Sequence, residues 1–209
     1  MSIKNIIFDL GGVLIKIDYN KTREAFINLG IKNFDEYYQQ DYVSKLFEDL
    51  EIGKISSTDF YFEFRKITNS QLTNFQIAEA WNAMLGEFWI DRLNWLDDLK
   101  SNYGIFLFSN TNEIHYRAFI KLFENTMPNK SFSNYFIKDY YSHIMGERKP
   151  NEKSFKTILA QQNLISKETL FIDDTLKNIE GAKLCGLQTL HLLPNTDLKL
   201  AVIDCLSVQ

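Results

Sequence analysis

Four short apolar segments, NIIFD, GIFLFSN, TLFIDD and LQTLHL, each end in polar residues and begin near positions 5, 104, 169 and 187. They read as buried parallel strands, which form near-continuous apolar runs because helices cover both faces of their sheet. Helical patterns stand between them. DRLNWLDDLKSN precedes the second segment and TNEIHYRAFIKLFEN follows it; NEKSFKTILAQQNL precedes the third, and LKNIEGAKLCGL leads to the fourth. Alternation of this kind, with right-handed crossovers, specifies an open α/β sheet whose ligands bind beyond the carboxyl ends of the strands. Asp9, Ser109 and the pair Asp173 and Asp174 stand at three such ends.

Residues 18–86 break that rhythm. They are dense in aromatic and charged residues, contain no convincing strand, and carry helix signals such as SSTDFYFEFRKI, in which Ser56 and Asp59 have capping-box spacing. The stretch reads as an inserted all-α cap that follows the first strand and lies over the carboxyl edge of the sheet. The expected organisation is therefore a Rossmann-like parallel-sheet core from residues 1–17 and 87–209, with a helical cap from 18–86. Phe60, Tyr61, Phe62 and Phe64 are too close together to share one helix face, so some pack in the core and others are left to line the entrance.

The chain has 209 residues, 45% of them apolar, enough to bury a core in one domain with a large insertion or in two small ones. A net charge of −4 supplies no basic surface for a nucleic-acid backbone, so nucleic acid is not an expected partner. Cys185 and Cys205 share no close spacing with each other or with the three histidines, which suggests neither a disulfide framework nor a zinc site. Reduced thiols, together with no leader-like start and no membrane-length apolar run, give the expectation of a cytoplasmic protein with no membrane partner.

At the strand ends, Asp9, Ser109, Asp173 and Asp174 converge with Lys149 of GERKP on one crevice. That set can do phosphoryl chemistry. Asp9 offers a carboxylate nucleophile, Asp174 an oxygen ligand for magnesium, Ser109 a hydrogen bond to phosphate, and Lys149 a counter-charge. Three carboxylates around a phosphate dianion would repel it without the metal and the lysine.

Taken in order, IIFDLGGVL, FLFSNTN, GERKP and FIDDTLKNIEGA resemble the four motifs of the haloacid dehalogenase superfamily, and they cover the chain nearly end to end. The chain resembles the capped phosphatase branch, and within it most closely the α-D-glucose-1-phosphate phosphatase-like subgroup. The resemblance implies magnesium, a small phosphorylated metabolite as substrate, and an aspartyl-phosphate on Asp9. It places the metal at Asp9, the Gly11 carbonyl and Asp174, with Asp173 acting mainly behind them. It also assigns phosphate contacts to Ser109, Asn110 and Lys149, and marks Glu51 as a cap residue able to meet sugar hydroxyls.

Gly11 departs from the family pattern. Most phosphatases of the family carry a second Asp there, which protonates the leaving oxygen and later activates water. Its loss removes a contribution of roughly 100- to 10,000-fold. Anomeric sugar phosphates and acyl phosphates leave more easily than simple alkyl ones and suffer least from a missing acid, which favours a sugar 1-phosphate.

Each residue also has a plainer use. Asp9 can serve a turn, Asp173 or Asp174 can cap a helix, Ser109 and Asn110 can start one, and Lys149 can sit in solvent. His115, His143 and His191 have no ligand spacing; His143, close before the third motif, is the first replacement acid to consider. Two rival functions stand beside the phosphatase: a low-turnover protein that binds phosphorylated ligands or a partner, and a 2-haloacid dehalogenase, against which the paired Asp173 and Asp174 argue. The expected assembly is a monomer or homodimer.

Overall fold

The computed structural model describes residues 2–38 and 44–207; residues 39–43 of the 18–86 insertion lie outside the described set. Strands β1 (Asn5–Phe8), β4 (Gly104–Ser109), β5 (Lys138–Tyr141), β6 (Thr169–Asp173) and β7 (Gln188–His191) form one parallel sheet in the order β5-β4-β1-β6-β7. Register pairs Phe8 with Leu107 on one side and Ile172 on the other, so Asp9, Asn110 and Asp174 all emerge just past the same edge. Four of these strands are those expected. The fifth, β5, was not, because its sequence KDYY buries only two residues at the sheet edge and leaves no continuous apolar run.

Period-2 alternation divides the core. Ile6, Phe8, Ile105, Leu107, Leu170 and Ile172 face helices α5 (Ile90–Leu99), α6 (Glu113–Thr126) and α10 (Leu198–Ser207). Ile7, Phe106, Phe108 and Phe171 face α8 (Glu152–Gln161) and α9 (Leu176–Leu184).

The inserted segment holds α1 (Tyr19–Asn28), α2 (Lys45–Glu51), α3 (Ser57–Thr68) and α4 (Asn74–Asn82), whose apolar side chains share a cluster of their own. Phe26, Phe34, Phe47, Phe60 and Phe64 fill it, and each fully buried ring contributes about 1.5–3 kcal/mol relative to exposure. Ser56 and Asp59 do form a capping box at the start of α3, and Thr73 and Gln76 form a second at α4. Of the aromatic run in α3, Phe60 and Phe64 point inward and Phe62 points to solvent, while Tyr61 is half-buried.

An antiparallel ribbon, β2 (Ile15–Ile17) with β3 (Leu85–Phe88), carries the chain into and out of this helical segment. It corrects the reading of 18–86 as free of strands, since β3 begins inside that range. A ribbon this short shows no alternation of its own, and its pairing partner lies about seventy residues away in sequence. A four-residue helix, α7 (Ser142–Met145), follows β5. No helix of the described residues is long and apolar enough to cross a membrane.

Candidate active site

Asp9 leaves β1 into a loop that must turn at once. Gly12 has φ +67°, and a Cβ there would lie 2.1 Å from Asp174 Oδ2, so only glycine lets the first loop pass beneath the last carboxylate. Gly11 has no such constraint. A Cβ added to it meets Ile17 Cγ1 at 3.1 Å, a contact the isoleucine side chain can relieve.

Lys149 anchors the centre and is 1% exposed. Its ammonium donates to Asp9 Oδ1 at 2.6 Å, Asp173 Oδ2 at 2.7 Å and the Phe108 carbonyl at 2.9 Å, which uses all three of its protons. Burial works against the charge, but Asp173 and Asp9 outweigh it and hold the lysine above its ordinary pKa. Asp173 is fully buried and accepts from the Thr175 N–H at 2.8 Å and from Asn178 Nδ2 at 3.1 Å to each oxygen. It thus fixes the turn that leads into α9 and braces Lys149 at once. Asp174, exposed, accepts from the Thr175 hydroxyl at 3.2 Å, while His191 Nε2 lies 3.0 Å from its carbonyl.

Carboxylate oxygens of Asp9, Asp173 and Asp174 lie within 4.8 Å of one another. Burial first, and then Asp173 and Asp174, raise Asp9 above the usual carboxylate range, with Lys149 opposing them. Three carboxylates against one ammonium leave an excess of negative charge that a divalent cation with oxygen preference offsets, so the donor set fits magnesium.

Ser109, at the end of β4, lines the cavity above this centre and makes only a long 3.4 Å contact to the Asn110 carbonyl. The Asn110 side chain is tied to the lysine loop. Its amide donates to the Lys149 carbonyl and accepts from the Lys149 N–H, both at 2.9 Å, so its side chain positions the lysine.

The cavity holds about 360 Å³ and is roofed by Tyr19, Tyr38, Glu48 and Glu51 from the helical segment. Arg148 Nη1 reaches Glu51 Oε2 at 3.2 Å across the gap. Burial raises the Glu51 pKa, with Arg148 opposing. Burial, and then Asp174, Asp9 and Glu51, hold the Tyr19 phenol protonated well above its usual value. The end of α2 is docked firmly: Gly53, at φ +67°, would clash with the His143 carbonyl if it bore a Cβ. Ser142 Oγ accepts from the Thr111 N–H at 2.8 Å and shares its single proton between the Glu51 and Thr111 carbonyls, at 2.7 and 2.8 Å.

His143 is not at the site. It is buried beside Glu113 and Tyr116 and lines a different cavity, so nearness in sequence to Lys149 did not become nearness in space. His115 lines the catalytic cavity instead. Arg148 and Asn178 were also missed as individual residues, although both lie inside quoted motifs, where their neighbours drew the attention.

The site is thus an acidic centre at the carboxyl edge of a parallel sheet covered by helices on both faces, with a helical segment over it. The family model of haloacid dehalogenase-like hydrolases matches residues 3–186, and the chain belongs to that family. It is 32% identical over 187 residues, 90% of each chain, to the D-ribitol-5-phosphate phosphatase of Bacteroides thetaiotaomicron. It is 28% identical, over 91% of its length and 90% of the relative's, to a sesquiterpene phosphatase of Aspergillus oryzae. A solved haloacid dehalogenase-family enzyme of B. thetaiotaomicron, in complex with magnesium and inorganic phosphate, superposes with a TM-score of 0.86 at 32% identity, covering 95% of this chain and 98% of that one.

Proposed function

We propose that this chain is a magnesium-dependent phosphatase of a small, hydroxyl-rich phosphate ester, a sugar or polyol phosphate, with residues 18–86 capping a core made of 1–17 and 87–209. The observation that carries the reading is the buried Lys149, with every proton bonded, holding Asp9 beneath a polar cavity beside two further carboxylates. The relatives named as phosphatases support it.

Asp9, Asp174 and the Gly11 carbonyl would hold magnesium, and Asp173 orients the centre from behind. When bound, the metal neutralises phosphate charge that the carboxylates would repel. A carboxylate oxygen of Asp9 attacks phosphorus, forming an aspartyl-phosphate while the ester P–O bond breaks and the departing oxygen takes a proton from water. Ser109 donates to a phosphate oxygen and Lys149 balances the charge. Water then cleaves the acyl phosphate and regenerates Asp9.

Gly11 offers no acid for the leaving oxygen, so turnover should follow leaving-group acidity, with sugar 1-phosphates ahead of the corresponding 6-phosphates. The named activity of the B. thetaiotaomicron relative adds polyol 5-phosphates to the panel. Phosphate release from these esters and from p-nitrophenyl phosphate, with and without magnesium, tests the reading. No magnesium-dependent turnover on any of them would leave a phospho-ligand-binding protein, and metal-independent halide release from a 2-haloacid would leave a dehalogenase. Gly11→Asp, which Ile17 can accommodate by a small shift, should narrow the 1-phosphate advantage.

A further inference from the structure

His115 belongs to α6 of the core, yet its ring is held by the cap. Asn112 caps α6 and accepts from the His115 N–H at 3.1 Å, which places the histidine on the first turn. The imidazole then stacks on Trp81 of α4, with centroids 4.7 Å apart and planes 26° from parallel. Its Nδ1 lies 2.8 Å from Asn82 Oδ1, an oxygen that can only accept, so Nδ1 carries the proton and Nε2 the lone pair. Among the described residues no group bonds Nε2, and it is not among the buried polar atoms left sealed without a partner. The residue is 7% exposed and lines the cavity above the acidic centre.

Trp81 and Asn82 are themselves fixed. Thr22 on α1 donates to the Trp81 carbonyl at 2.9 Å and accepts from the Met84 N–H at 3.1 Å, tying the end of α4 to α1. The ring is thus clamped on a face and at one nitrogen, with the other nitrogen left to the cavity. Burial lowers its pKa to about 3, so the free nitrogen is a neutral acceptor at any ordinary pH.

From this geometry we infer that His115 determines substrate specificity: its Nε2 accepts a hydrogen bond from a hydroxyl of the leaving group, distal to the phosphate, and the cap residues Trp81 and Asn82 set the tautomer and plane that make it an acceptor. The inference rests on the phosphatase reading and gives it a selector. An acceptor fixed in a buried site favours a ligand bearing a hydroxyl there and gives nothing to one that lacks it. Glu51 and the Tyr19 and Tyr38 hydroxyls extend the same preference along the roof.

The test compares wild type, His115→Phe, His115→Gln and Asn82→Leu on D-ribitol 5-phosphate, a sugar 1-phosphate and p-nitrophenyl phosphate, which has no hydroxyl to offer. His115→Phe keeps the stack and removes the acceptor. It should lower kcat/KM for the hydroxylated esters by about 5- to 100-fold, mostly through KM, and change p-nitrophenyl phosphate turnover less than about threefold. His115→Gln, which returns an acceptor near the Nε2 position, should recover part of the loss. Asn82→Leu should reproduce it more weakly. Nitrogen NMR of the wild-type ring should give a neutral imidazole protonated at Nδ1. Equal losses on all three substrates, no loss on any, or an Nε2-protonated ring would each overturn the proposal. Absence of magnesium-dependent p-nitrophenyl phosphate hydrolysis in the wild type would overturn the phosphatase reading instead, and the two failures are thereby distinguished.

Discussion

The floor and the roof of the cavity are built by opposite rules. On the floor, Lys149, Asp173 and Asn178 are held in one bonded network, and Asp9 and Asp174, the proposed nucleophile and metal ligand, line the cavity beside it. On the roof, Glu51, Tyr19, Tyr38 and His115 present polar groups toward the cavity, with Arg148 as the one ionic tie between cap and core there among the described residues. A reacting centre gains from rigidity and charge balance settled before substrate arrives. A reading surface gains from donors and acceptors left for the substrate to satisfy.

The comparison can be broken first on the floor. Asp9→Asn preserves shape and should abolish phosphate release, a loss of at least about a thousand-fold, while the thermal midpoint stays near wild type. A folded variant with substantial turnover would end the covalent mechanism. Asp174→Ala comes next: the magnesium needed for half-maximal rate should rise more than about tenfold, measured by titrating the metal against phosphate release. An unchanged requirement would remove Asp174 from the metal site.

Roof changes should cost less and fall on different constants. Arg148→Met strips Glu51 of its partner in a mostly buried setting and should raise KM for hydroxylated esters by about 5- to 50-fold, leaving kcat on p-nitrophenyl phosphate within about threefold. If kcat fell equally on every substrate, the arginine would belong functionally to the floor.

The last effect, on stability and not on rate, is a signature of His115. Its folded pKa, about 3, lies below the ordinary 6.5, so between those values the unfolded chain binds a proton that the folded chain does not. This group's contribution is therefore complete above about pH 6.5 and is lost as pH falls toward 3. The gap in thermal midpoint between wild type and His115→Gln should move against the wild type from pH 7 to pH 4. A gap independent of pH would mean that the ring is not held neutral.

Much of the floor was legible because its parts sit at fixed offsets from strands that announce themselves. Asp9 follows IIF, Ser109 ends GIFLF and Asp173 ends TLFI, so an apolar run also located the polar residue at its end. The edge strand β5 escaped for the converse reason, having one side to bury and no apolar run to show. The histidines illustrate the limit. His143 stands six residues before Lys149 and faces another cavity; His115 stands six after Ser109, and one turn of α6 carries it under the cap.

The sequence by itself determined the α/β order, the helical insertion and the acid–lysine set at the strand ends, because local periodicity and the carboxyl-edge rule act within a few residues of each strand. Tertiary structure alone decided that Asn110 serves Lys149, that Arg148 meets Glu51, and that Trp81 and Asn82 hold His115. Those pairs lie thirty or more residues apart; the first depends on how neighbouring strand ends meet and the other two on how the cap packs over the sheet, relations that no local pattern encodes.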